Sequence, residues 1–247
     1  MSEQSGAVGP ADGTGRPHIA GPRSSGAGRS TARGDQTRQL ILDTAMRLFR
    51  ERGYAQTTMR AIAQEAGVAV GNAYYYFASK EHLIQGFYRD TEVEIQAAAR
   101  PVLDTERAFV ARLRGVLHGG IDVLSPSHEF ATSFFKTAAE PTSPLSPFSA
   151  ESTETRVRTI GIFAEVLDGS SVRVDRELRP MLPELLWLAW LGVVLFWVHD
   201  RSPDQVKTRR LIDGAAPLID RLVRSSHLPL LRPVTRELLD LLRVIRP

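Results

Sequence analysis

Tyr74, Tyr75 and Tyr76 stand in a row, Phe77 follows them, and Lys80 lies three residues further on. Phenol hydroxyls and an ammonium group suit sugar and phosphate oxygens better than they suit bond-making chemistry. The stretch just ahead, GVAVGNA, is built of small residues. Small side chains at the start of a helix let its backbone come close to base edges in a major groove. Catalytic patterns are missing by contrast: there is no Gly-x-Ser-x-Gly, no Gly-rich loop ending in Lys, and no paired-histidine motif. The chain has no cysteine, which removes disulfides, zinc ribbons and thiolate catalysis from consideration. His118 and His128 lack a histidine four residues away or a suitably spaced carboxylate pair, so neither reads as a metal ligand. The expectation is a protein that is not an enzyme and carries no cofactor and no metal.

The elements that would position these residues are helices. From Asp35, Ile41, Ala45, Leu48 and Phe49 recur at helical spacing, Leu42 and Met46 widen the stripe, and Gly53 is placed to end it. Thr57 and Thr58 can cap a second short helix carrying Ile62, Ala63 and Ala66, which Gly67 closes by accepting a left-handed backbone. Residues 69–77 make a third short helix that buries Tyr76 and Phe77, and Ser79 caps a fourth whose inward face is Leu83, Ile84, Phe87 and Tyr88. Pro101 is expected to end or kink that fourth helix. Further helices are expected over 105–124, 129–139, 152–168, 185–198 and 205–223, with a Pro- and Ser-rich loop at 141–148. No alternating strand pattern occurs, so the fold class is all-α.

Charge and composition agree with this division. Residues 1–90 hold 11 Arg and Lys against 8 Asp and Glu, while residues 91–247 hold 20 of each, so the net charge of +3 lies wholly in the N-terminal third. Positive charge there favours phosphate through counterion release. Residues 1–34 are rich in Gly, Ser, Ala, Pro and Arg and poor in large apolar side chains, and read as a disordered tail without an export signal. Its Arg16, Arg23, Arg29 and Arg33 are either an arm for a DNA minor groove or plain solvated charge. The run LLWLAWLGVVLFWV over 185–198 is uncharged for 14 residues, short of the roughly 20 needed to span a bilayer, so it reads as a core or interface helix, not a membrane segment. A cytoplasmic protein is expected.

Two segments, LILDTAMRLFRERGYAQTTMRAIAQEAGV and GNAYYYFASKEHL, resemble the tetracycline-repressor (TetR) family of bacterial transcriptional regulators, a likeness that covers roughly residues 36–88. The resemblance implies an N-terminal three-helix DNA-binding domain with a helix-turn-helix, followed by a helical dimerisation and ligand-sensing domain. The corresponding boundaries are 1–34 for the tail, 35–80 for the DNA-binding domain and 81–247 for the effector-binding and dimerisation domain. It further implies that Thr57 and Thr58 touch phosphate, that Arg60 reaches a base or the backbone, and that Val70, Gly71 and Asn72 face base edges. Tyr74 and Tyr75 would contact bases or phosphates, and Lys80 would pair with the DNA backbone. Ala69 and Val70 depart from the family pattern, which leaves the third helix without a capping hydroxyl.

By the same resemblance the function is that of a ligand-responsive repressor acting as a homodimer on a pseudo-palindromic double-stranded DNA operator. The larger domain would hold an unidentified small-molecule effector in an aromatic cavity walled by Phe109, His118, Phe130, Phe134, Phe135, Phe163, Trp187 and Trp190. The alternative is a helical small-molecule-binding or partner-binding protein whose DNA-binding domain is non-functional.

Overall fold

A computed structural model describes residues 27–226. The expectations for the tail over residues 1–26, including Arg16 and Arg23, lie outside the described residues. Among those described there are helices and no strands: α1 Ala27–Arg52, α2 Met59–Glu65, α3 Val70–Tyr76, α4 Lys80–Thr105, α5 Phe109–Leu124, α6 His128–Ala139, α7 Thr153–Asp168, α8 Leu182–His199 and α9 Val206–Ser225. The first helix begins at Ala27, eight residues ahead of the expected start. Its Thr37 hydroxyl donates back to the Arg33 carbonyl at 2.9 Å.

The amphipathic stripe of α1 places Ile41, Ala45, Leu48 and Phe49 in a core with Ile62 and Ala63 of α2, Ala73 of α3, and Leu83 and Ile84 of α4. Gly53 at φ 83° and Gly67 at φ 67° end the first two helices, in the left-handed region where a side chain would be strained. Phe130 and Phe134 of α6 belong to this same core, so the small N-terminal domain is completed by a helix from the body.

A second core gathers Leu103, Phe109, Leu113, Leu117, Phe163, Trp187, Trp190 and Trp197 from α4, α5, α7 and α8, with Ile212 from α9. The fourth helix runs through Pro101 to Thr105 instead of ending there. Proline removes one helical hydrogen bond, but burial of Ala99 and Leu103 on either side holds the last turn against α5. Gly115 on α5 permits that approach, since a Cβ there would lie 2.6 Å from Val102.

Buried Arg112 ties three helices together. Its guanidinium donates to the carbonyls of Leu103 and Glu106 at the end of α4 and of Glu165 and Val166 on α7, at 2.6–3.0 Å. By length and composition α8 could cross a membrane. In the fold its Leu186, Trp187, Trp190, Val193 and Trp197 are buried in the body's core.

Candidate nucleic-acid interface and ligand cavity

The α2–α3 unit is a helix-turn-helix whose outer surface is open. Thr58 caps α2, its hydroxyl oxygen accepting from the Ala61 N–H at 3.2 Å, so its own O–H remains free to donate outward. After the Gly67 turn, α3 starts at Val70 with Ala69 in the cap position and no side-chain cap, as the sequence leads one to expect. Ala73 is buried and Phe77, just past the helix, is buried with it, whereas Val70, Gly71, Asn72, Tyr74 and Tyr75 are exposed. Tyr75 is the extreme case at 81% exposed, against 50% for Tyr74. Tyr76 is half-buried and packs on the N-terminal core. Arg60 on α2 is also exposed.

Thr57 and Lys80 are placed differently from expectation. Thr57 is 1% exposed, and its hydroxyl lies 2.9 Å from the Gly53 carbonyl and 3.4 Å from that of Leu48. It fastens the α1–α2 loop, and its side chain cannot meet phosphate. The Lys80 ammonium donates to the Tyr54 carbonyl at 2.7 Å and sits 4.4 Å from the centre of the Tyr54 ring. Burial lowers its pKa from the ordinary lysine value. Tyr54 in turn donates from its hydroxyl to Glu81 at 2.8 Å. Lys80 is thus a brace between the α1–α2 loop and α4. A carbonyl partner of this kind has no signature in sequence.

The body holds a half-open cavity of about 490 Å³, within the range of roughly 300–1,000 Å³ that suits small-molecule ligands. Five of the eight proposed wall residues line it: Phe130, Phe134, Phe135, Trp187 and Trp190. Three do not. Phe109 and Phe163 are sealed in the body's core, and His118 faces α9, with Nε2 at 3.0 Å from Asp213. Aromatic spacing cannot separate a cavity wall from a core, because both require the same inward stripe. Sequence reasoning also missed Phe87, Thr91, Glu92 and Trp197, all of which line the cavity.

Phe130 and Phe134 face both ways. They stack on each other at 5.1 Å, while Phe130 lies 6.2 Å from Phe49 and Phe134 meets Tyr54 edge-on at 5.2 Å. One pair of rings therefore forms part of the cavity wall and part of the core beneath the helix-turn-helix.

An exposed recognition helix over the N-terminal core, joined to a helical body with an apolar cavity, is the arrangement of a helix-turn-helix DNA-binding regulator of transcription. Comparison with known proteins agrees. Residues 41–86 match the profile of the bacterial regulatory proteins of the tetR family, and residues 112–243 match the tetracyclin repressor-like C-terminal domain. The chain belongs to the TetR family.

Among its relatives is the HTH-type transcriptional repressor KstR2 of Mycolicibacterium smegmatis, 26% identical over 63% of this chain and 77% of the relative. The KstR2 repressor of Mycobacterium tuberculosis is 32% identical over 36% of this chain, a match that spans less than half of that relative, 44%. In fold the chain is similar to the transcriptional regulator FadR from Bacillus subtilis, solved with stearoyl-CoA. There the TM-score is 0.57 at 19% identity, covering 76% of this chain and 98% of the other.

Proposed function

We propose that the protein regulates transcription in the cytoplasm as a homodimer on a pseudo-palindromic DNA operator, without catalysing a reaction, and that a small molecule in the body's cavity releases it. The DNA-binding domain spans residues 35–80 and the effector-binding and dimerisation domain residues 81–247. Val70, Gly71 and Asn72 face base edges in the major groove. Tyr74 and Tyr75 contact bases or phosphates, and Thr58 and Arg60 approach the backbone from α2. The observation that carries this reading is Tyr75: a phenol 81% exposed on a seven-residue helix, its ring resting edge-on against Tyr76, lies outside the core and turns its hydroxyl to solvent.

Dimerisation falls to α8 and α9. Leu195 and Phe196 on α8 and Leu218 and Leu222 on α9 are 41–63% exposed. Two such helices from each of two chains bury one another as a four-helix bundle. Release works through Phe130 and Phe134: a ligand that displaces these rings shifts the packing of Phe49 and Tyr54 under the helix-turn-helix.

The test is selection of bound fragments from genomic DNA, followed by footprinting. Two half-sites centred about 34–36 Å apart, or at multiples of that spacing, are expected. Binding of single half-sites with no symmetry, or none at all, would overturn the proposal.

A further inference from the structure

The wall of the body's cavity is largely aliphatic and aromatic. Three of its residues are exposed and mark the opening: Ala139 at the end of α6, Phe148 in the loop before α7, and Leu195 on α8. All three are apolar, and the Phe148 ring stands edge-on to Trp187 at 5.4 Å. Among the described residues the wall holds two charged side chains, Glu92 and Arg156. Neither is set to pair with an ion. The carboxyl oxygens of Glu92 are buried and present no surface to the cavity. The Arg156 guanidinium donates to the carbonyls of Pro147 and Ser149 at 2.9 and 3.2 Å and to the Thr153 hydroxyl at 3.0 Å, and so ties the α6–α7 loop to α7. An anion could draw on Arg156 only by competing with those bonds.

We infer that the cavity selects uncharged, apolar molecules and rejects anions and cations alike, including amphiphiles whose charged head would lie at the opening. This rests on the reading of the cavity as the effector site and adds the chemical class of the effector. Apolar surface gains by leaving water for such a wall, whereas a charge that leaves water without a partner is penalised. A charged head drawn up to the opening meets Ala139, Phe148 and Leu195 in place of water and finds no unengaged counter-charge in the wall. The tail then gains what an uncharged molecule gains, and the head loses.

The experiment titrates the full-length protein with 1-decanol, decanoate, decylammonium and decanoyl-CoA, which share a chain length and differ in the head. Binding is followed by fluorescence of the tryptophans, all three of which line the cavity. At about pH 8, 1-decanol should bind at least about tenfold more tightly than any of the three ions. Lowering the pH from about 8 to about 6 should tighten decanoate by about tenfold per unit, because only its protonated form enters, and leave 1-decanol unchanged. Thr155 is a half-buried residue of the wall, and Thr155→Lys, which adds an unpaired ammonium there, should narrow or reverse the gap between 1-decanol and decanoate. Any of the ions binding as tightly as 1-decanol to the wild type, or a decanoate affinity indifferent to pH, would overturn the inference and leave the cavity as an effector site. The wild-type ranking and its pH dependence need no variant to fold. A ranking unaltered by Thr155→Lys, in a variant that melts as the wild type does, would put the probes elsewhere. That result, or failure of every probe to bind at its solubility limit, would remove the cavity reading and the inference together.

Discussion

Tyr75 and Lys80 lie five residues apart and have opposite fates. The phenol of Tyr75 is largely exposed, touching only the edge of the Tyr76 ring among the aromatic side chains described, while the Lys80 ammonium is bonded to the Tyr54 carbonyl and lies against its ring. Sequence alone makes both DNA contacts, because a lysine near a helix start and an exposed tyrosine suit phosphate equally well. The structure separates them by asking which group is already paired. Lys80→Met should therefore lower the melting temperature while leaving the salt dependence of DNA binding unchanged. Loss of a phosphate contact would reduce the slope of log affinity against log salt by about 1. At Gly120, an added Cβ would lie 2.7 Å from the Trp190 ring. Gly120→Ala should push that ring toward the cavity and weaken probe binding by about tenfold or more, with DNA affinity unaffected in the absence of ligand.

At the scale of elements, the helix starts and stops depend on a few polar residues. Asp200, buried between α8 and α9, accepts from the N–H and hydroxyl of Ser202 and from the N–H and hydroxyl of Thr208 at 2.6–2.9 Å. Burial works against its ionisation, but these hydrogen bonds outweigh it and hold the carboxyl well below the usual carboxylate range. A depressed folded pKa stabilises the native state above the unfolded value, near pH 4, and that contribution is lost as pH falls further. Thermal stability should thus decline below about pH 4 more steeply in the wild type than in Asp200→Asn, which should itself be less stable at pH 7 by about 2 kcal/mol. Arg112→Leu should cost about 3 kcal/mol or more in a denaturant titration, because it leaves four carbonyls without their donor.

Much of this architecture was legible in the sequence. The stripe of Ile41, Ala45, Leu48 and Phe49, the two turn glycines and the uncapped Ala69 all follow from local rules, and the structure places them accordingly. Local rules failed where the deciding partner is distant. Nothing in the sequence marks Arg112 or Glu92 as buried, because their burial is set by helices far along the chain. Pro101 reads as a breaker because the packing that carries α4 past it comes from α5. Phe109 and Phe163 read as cavity wall because periodicity gives the direction a side chain faces and not whether space lies beyond it.

For the whole molecule, the claim is that an exposed recognition helix, a cavity and an exposed apolar edge on α8 and α9 serve one device. Leu218→Glu with Leu222→Glu should convert the dimer to monomer in sedimentation and weaken operator binding, since each half-site must then be held alone. The most direct measurement is the affinity of Asn72→Ala with Tyr75→Ala for the DNA duplex that the wild type selects, read by fluorescence anisotropy beside a melting curve. A loss of at least about tenfold with the melting temperature held is expected, because both side chains lie outside the core. Wild-type affinity in that double variant would mean that DNA, if bound, is held by some other surface.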